Sequence, residues 1–435
     1  MSPSIGRWII PSVTSASLTV LLADAGCSVP TPCYRSHCGP VAGGPSVTGG
    51  HPIEASTLPQ RSVPATRAEP TRVRIGVIGA GLIAQVMHLH YLSELSDRFE
   101  VSAICDIAPE NAAASAARYG VQTTCTDWRD LLREPIDAVL VLTGGSHAPM
   151  AIEAAKAGIH VLVEKPMCFS TAEAAAMVEA ADAAGVVLMV AYNKRHDPAY
   201  LRFREEVAGI RDPRFLRVTT LESPIAPYVG HYPLSAVQLP PEELVERLRT
   251  EAAVSITTAL GDVDPVLRRI YQSVLLDTLV HELNAVRGLF GEPDRLEHAD
   301  LSERSVSLLL RFGDLPAAIH WIDLPGIARY QMEFALYAPD RRVSLSFPSP
   351  FLRSEPTVMT VEDGQPGTAR SSRTEEITSY ESAFRRELMA FYAAVVDGAP
   401  IETPGRDAMR DIALCQAIIE CSRTGRPIDH PAGIA

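Results

Sequence analysis

"RVRIGVIGAGLIA", residues 72–84, is the stretch on which the reading of this chain turns. VRIGVIG is a short, β-branched apolar run, the pattern of a strand buried on both faces. A helical pattern follows at once, so Gly79–Ala84 forms the turn between them. GAGLIA fits G-x-G-x-x-G/A, with Ala in the third place. Gly79 permits a tight turn and Gly81 lets the backbone approach a pyrophosphate. Leu82 and Ile83 complete the loop, and Ala84 keeps helix and strand close while the helix N-terminus faces the phosphates. A tight strand–helix turn with no ligand satisfies the same letters, so the neighbouring sequence has to decide.

Working outward, FEVSAICD reads as a second strand with Asp106 at its tip. An acid there accepts both ribose hydroxyls of a dinucleotide and repels a 2′-phosphate, which favours NAD over NADP. IDAVLVLT, HVLVEK and VVLMVAY read as further buried strands, and APMAIEAAKAG and TAEAAAMVEAADAAG as helices between them. This alternation predicts right-handed βαβ units and a doubly wound parallel sheet over residues 72–194. Beyond residue 210 the rhythm changes. SVSLLLRF, AAIHWIDL, YQMEFALYA, RVSLSF and TVMTVED predict an open, mostly antiparallel sheet with helices on one side, an α+β domain over 195–428. Residues 1–70 hold ten Pro, ten Ser and seven Gly. That composition buries too little apolar surface to offset ordering entropy, and a disordered extension is expected.

The formal net charge of −13 over 435 residues argues against a nucleic-acid or anionic-membrane partner. No apolar run reaches the ~20 residues needed to span a bilayer. SLTVLLADA is a short apolar stretch with an A-x-A end. Arg7 is the only charge ahead of it and Pro11 dilutes it, so a cytoplasmic location is expected rather than a secretory leader. The eight cysteines show no CxxC spacing, which predicts neither a disulfide framework nor a metal site. Cys27, Cys33 and Cys38 with His37 fit no standard zinc spacing.

Lysine is scarce: Lys156, Lys165 and Lys194 are the only three among 39 basic residues. The E-K-P run places Lys165 at the carboxyl end of a parallel strand, where open α/β sheets bind ligands. Lys is preferable to Arg there if the charge must be compact or its pKa tunable. A strand-end salt bridge with Glu164 is the alternative. Further on, VLLDTLVHELNAVRGLF puts Asp277, His281 and Asn284 on one narrow stripe at about 100° per residue. Leu275, Leu276, Leu279, Val280, Leu283 and Val286 cover the opposite side. Such a stripe suits a general base with an orienting partner, and it equally suits a solvated helix face.

Together, IGVIGAGLIA, AAKAGIHVLVEKPM and VAYNKRHDPAY resemble the Gfo/Idh/MocA family of sugar and inositol oxidoreductases. The closing FRRELMAFYAAVVDGAPIETPGRDAMRDIALCQAIIECSRTGRPI is similar to that family's terminal helices. The resemblance spans roughly residues 72–428. It implies NAD(P)-dependent oxidation of a sugar or polyol carbinol, or the reverse reduction, and a homo-oligomer formed through the C-terminal sheet. It places Lys165 beside the nicotinamide and the reacting hydroxyl, with Asp277 and His281 as the other catalytic pair. Thr143, His147 and Glu164 then border the cofactor. Tyr192, Asn193, Arg195 and Asn284 face the small-molecule substrate, although a hinge role fits the first three equally well. Three features depart from the family. RRIYQSVLLD replaces a Gly-rich turn before Asp277, VLTGGSH is a shortened form of a T-P-x-x-x-H turn, and the segment 223–276 is enlarged, as expected for a cleft lining or lid. Two other functions share this pattern: a non-catalytic NAD-binding regulator, and an NAD-dependent eliminase or glycosidase with an extra acid such as Asp262 or Asp264.

Overall fold

Burial on both faces puts Val73–Ile78 (β1) in the middle of a six-stranded sheet. The computed structural model describes residues 71–235, 238 and 240–433, so the 1–70 extension and its cysteines lie outside the described residues. The sheet order is β3-β2-β1-β4-β5-β6, all parallel, with β2 Phe99–Cys105, β3 Thr123–Cys125, β4 Ala138–Val141, β5 His160–Glu164 and β6 Leu188–Ala191. The order reverses between β1 and β4, and a crevice opens beyond the carboxyl ends of those strands. Gly79, Thr143 and Lys165 all lie at this end, just past β1, β4 and β5.

Four helices flank the sheet. The first, α1, combines a wide π-helical turn, Ala84–His88, with Leu89–Glu94; α2 is Pro109–Tyr119, α3 Ala148–Lys156 and α4 Thr171–Ala184. A reciprocal capping box starts α4: Ser170 Oγ accepts the Glu173 N–H at 3.2 Å and the Glu173 carboxylate accepts the Phe169 N–H at 3.0 Å.

The second sheet has nine strands in the order β14-β13-β12-β11-β7-β10-β9-β8-β15. Their spans are β7 Phe215–Glu222, β8 Arg295–Leu301, β9 Ser305–Phe312, β10 Leu315–Asp323, β11 Gln331–Tyr337, β12 Arg341–Phe347, β13 Val358–Gly364, β14 Ser371–Ile377 and β15 Ile428–Asp429. Only β7 and β10 pair in parallel, so the expected mostly antiparallel sheet is present. One face is apolar, with Leu216, Val218, Leu308, Leu310, Ile319 and Phe334 buried. The other carries ion pairs such as Arg217–Glu333 and Arg342–Glu362. β8 and β14 escape the sequence patterns because a bulge between Leu296 and His298 breaks the alternation of RLEHADL, and SSRTEEI is an edge strand that is polar up to its final Ile377.

The remaining helices are α5 Pro198–Ala208, α6 Glu242–Leu260, α7 (Pro265–Ile270, Tyr271–Leu279 in π-helical form, then Val280–Phe290), α8 Ala383–Asp397 and α9 Gly405–Thr424. The last two return to the first domain. Phe384, Leu388, Phe391 and Tyr392 of α8 share a core with Val73, Ile75, Val77 and Leu92. Thr403 binds the backbone of Val190 in β6 in both directions, at 2.7 and 3.0 Å. Among the described residues no helix is long and apolar enough to cross a membrane.

Because Leu388 is fully buried in that shared core, Leu388→Ala is expected to lower stability by about 2–5 kcal/mol. Urea denaturation followed by circular dichroism measures it, and a loss below 1 kcal/mol would contradict this packing.

Candidate functional site

The crevice is built from its glycine loop upward. Gly79 has φ +99°, and a Cβ there would sit 2.8 Å from the Leu142 carbonyl carbon and 2.9 Å from Thr143 N. The turn therefore tolerates no side chain. A Cβ on Gly81 would meet nothing within 4 Å, so open space lies over the loop where a pyrophosphate needs it. Ala84 is fully buried against the sheet, while Leu82 and Ile83 are partly exposed. Asp106 is anchored across the loop: one carboxylate oxygen accepts Ala80 N–H at 2.8 Å, the other Ala108 N–H at 2.9 Å and the Asn111 amide at 3.2 Å. The donor set and the open glycine cradle fit a dinucleotide.

At the other end of the crevice stands the E-K-P turn, with a cis Lys165–Pro166 peptide. Lys165 Nζ donates to the Asp277 carbonyl at 2.5 Å and lies 3.2 Å from the Asp277 carboxylate. Burial disfavours its charge, but the Asp277 and Glu164 carboxylates outweigh that and hold the ammonium above its ordinary range. Behind it, Glu164 accepts the Lys165 N–H at 3.1 Å and pairs with His88 Nε2 at 2.8 Å. Contrary to the salt-bridge alternative, the Lys165 ammonium reaches across to the second domain.

His281 lies one turn beyond Asp277 on α7, and its ring meets Tyr192 edge-on at 6.1 Å. Burial, then the nearby charges of Lys165 and Lys194, push its pKa well below the ordinary imidazole range. The ring is thus neutral at neutral pH and available as a base. The leucines and valines opposite this stripe are buried, as the periodicity requires.

A sequence model described as the oxidoreductase family with NAD-binding Rossmann fold, Gfo/Idh/MocA, matches residues 73–192. The myo-inositol 2-dehydrogenase of Thermotoga maritima is 25% identical over 354 residues, which cover 79% of this chain and 94% of that one. The inositol 2-dehydrogenase of Rhizobium meliloti is 26% identical over 366 residues, covering 82% and 98%. A levoglucosan dehydrogenase structure in complex with NADH superposes with a TM-score of 0.64 at 19% identity, covering 83% of this chain and 100% of that one. The chain thus carries, over residues 73–192, the NAD-binding domain of the Gfo/Idh/MocA oxidoreductases. It is an enzyme of the dehydrogenase and reductase class.

Two residues expected at the substrate donate to acidic side chains. Asn284 donates to Asp411 at 2.8 Å and Asp407 at 3.4 Å. Arg195 pairs with Asp407 at 2.7 Å and Glu402 at 3.7 Å. The cause is α9, which lies across the lower end of the polar stripe and draws both side chains into an ion network centred on buried Arg287. Those partners lie more than a hundred residues away in sequence. Tyr192 and Asn193 are buried, and the Tyr192 hydroxyl and Asn193 carbonyl oxygen have no hydrogen-bond partner among the described residues.

Three further charged groups surround the site. Lys194 is buried with its ammonium 5.2 Å from the Phe347 ring centroid. Burial lowers its pKa against the pull of Glu282, Asp197 and Glu222. Glu282 is pushed up to about 7, chiefly by burial, with Thr220 hydrogen-bonded to it. Glu222, at the end of β7, is also raised by burial. The scarcity of lysine was a signal for Lys194; nothing in TTLES or VHELN marks the two acids.

The enlarged segment docks on the cofactor domain. Ser235 N–H donates to Gln85 at 2.9 Å, and Gln238 exchanges two bonds with the Asn111 amide at 2.7 and 3.1 Å. Ser255 of α6 donates to Glu173 at 2.7 Å. In place of a Gly-rich turn, α7 runs unbroken from Pro265 to Phe290. Asp262 and Asp264 are exposed, and Asp264 caps α7 through the Val266 N–H at 2.7 Å.

Gly79→Ala is expected to weaken NADH binding about 10-fold or more, since overpacking here costs about 1–3 kcal/mol. Quenching or enhancement of bound NADH fluorescence reads this directly, and unchanged affinity would remove Gly79 from the site.

Proposed function

We propose that this oxidoreductase transfers hydride between NAD and a CH–OH/C=O group of a sugar, an inositol or a related polyol. The observation that carries the reading is the Lys165 ammonium held 3.2 Å from the Asp277 carboxylate, one helical turn from His281. Gly79, Gly81, Leu82, Ile83, Ala84 and Asp106 would hold the dinucleotide, and Thr143, His147 and Glu164 would border it. The nicotinamide supplies the hydride acceptor. Asp106, followed by the apolar Ile107 with no basic neighbour, supports NAD over NADP.

The protein's own part is proton handling and charge placement. In the oxidative direction His281 takes the hydroxyl proton. Lys165 hydrogen-bonds the same oxygen and stabilises the negative charge that develops there. Asp277, by accepting from the ammonium, fixes where that charge sits. The names of the inositol and levoglucosan dehydrogenases support a polyol or sugar substrate. The test is a screen for NAD reduction over inositols, aldoses and glycosides. NADH accumulating with one of them supports the dehydrogenase, whereas turnover with no net redox change points to an eliminase and no turnover of any kind to a regulator.

With a substrate in hand, Lys165→Met should lower kcat at least about 10²-fold while NADH affinity changes only a few-fold. Near-normal turnover would sink the assignment. The pH profile carries a second expectation. His281 acts only when neutral, and its pKa lies well below the ordinary imidazole range, so the acid limb of the oxidation profile should fall well below pH 6.5 and leave turnover at neutral pH intact.

A further inference from the structure

His147 is fully buried, and three of its atoms bind backbone carbonyls. Its N–H donates to Met167 O at 3.2 Å. Its ring nitrogens face two more: Nδ1 lies 2.9 Å from Pro166 O and Nε2 lies 2.8 Å from Thr143 O. A carbonyl oxygen only accepts, so each ring contact requires an N–H. A neutral imidazole has one N–H and one lone pair. Whichever tautomer is chosen, a lone pair would face a carbonyl oxygen at hydrogen-bond distance. Flipping the ring would put carbon at both contacts and lose both bonds.

We propose that His147 works as an imidazolium, a doubly protonated clamp tying the Thr143 loop to the Lys165–Pro166 turn, and is thereby a positioning residue for Lys165. The part of this concerning turnover rests on the role given to Lys165 above; the protonation state does not.

The surrounding charges set what this cation needs. Burial pulls the His147 pKa down and the Lys165 charge works the same way, against the two carbonyls and the Glu164 carboxylate. Their sum lies below the ordinary imidazole range, so the second proton is held by the two carbonyl contacts at 2.9 and 2.8 Å, where losing it turns a bond into a repulsion. From β5, Glu164 is the counter-ion. Its own burial would raise its pKa, but His88, Lys165 and His147 together hold it below the usual carboxylate range. From α1, His88 binds the opposite side of Glu164, and from α4 Glu173 accepts the hydroxyl of Ser146, beside His147. From α8, the fully buried Glu387 carboxyl has no partner among the described residues and is pushed well up by burial and by Glu164. That favours its neutral form and leaves Glu164 as the anion that balances the site. The sign follows: the clamp is intact at low pH and is lost as pH rises through the folded-state pKa of His147.

The test uses the full-length protein labelled with ¹⁵N at its 12 histidines. The resonance missing from His147→Gln identifies this ring; should that variant fail to fold, His147 is the ring whose midpoint falls in Glu164→Gln and that is still present in His88→Gln, since His88 also pairs with Glu164. Both ring nitrogens are expected to be protonated at pH 7. A ring with one bare nitrogen at that pH overturns the proposal, whatever the substrate proves to be. In turnover, the wild type should lose kcat on the alkaline side with the midpoint of that resonance. His147→Gln should be slower by up to about 10²-fold, as expected for a displacement near 1 Å. His147→Lys keeps a cation that can donate to both carbonyls; it should recover part of the rate and lack the alkaline limb. A limb that persists unchanged in His147→Lys overturns the positioning role.

Discussion

The contact on which the site depends is the one that joins its two halves, Lys165 to Asp277. The ammonium comes from the end of a parallel strand and the carboxylate from a helix 112 residues later. Both side chains are less than a fifth exposed, 18% and 17%, so neither charge is cheaply solvated. A partly buried pair of this kind contributes little net stability after desolvation, but removing one partner is costly. Its value is geometric. Strand end and helix must stay in register for either charge to be tolerated, and the ammonium is thereby held at one place in the crevice.

That register is secured from outside the site. Tyr271 of α7 donates to Phe169 O at 2.7 Å, tying the helix to the segment just after the E-K-P turn. Tyr200 of α5 donates to Ala285 O at 2.7 Å. At the far end of α7, Arg287 binds Asp411 at 2.5 Å, Asp407 at 2.9 Å and Glu292 at 2.6 Å. The terminal helix α9 supplies two of those acids and also packs on α4. The last stretch of chain thus braces both domains around the cleft, which explains why Asn284 and Arg195 donate to its acids.

The first domain was legible because its signals are local. A buried parallel strand, its glycine turn and its strand-end acid all lie within about 35 residues, and each letter has a backbone reason. Lys165 could be placed by the same logic. The site's other half was legible only as a helical stripe, along which Asp277 meets Lys165 while the Asn284 amide turns to Asp411 and Asp407. Periodicity tells which residues share a face; it does not tell which distant helix will lie across that face. Glu222 and Glu282 were invisible for a related reason. Their significance comes from burial beside Lys194, a fact of tertiary packing with no counterpart in spacing. β14 was missed because an edge strand with no buried side has no alternation to read.

The scarcity of lysine gains its meaning from the shifts of the two that reach the site. Burial acts on both in the same direction, against the charged form. Lys165 faces Asp277 and Glu164 closely enough that its pKa rises all the same, whereas Lys194, with more distant acids, ends lowered. Environments that drive two like groups apart separate their roles. Lys165 remains a fixed positive charge, suited to stabilising an oxyanion. Lys194 is the one that can give up a proton more readily, beside Glu282, itself pushed up to about 7. Arginine could not be divided this way, because its charge does not respond to burial within the accessible pH range. Two of the three lysines therefore stand at the site, where tunability matters, while Lys156 pairs with Glu153 on the surface.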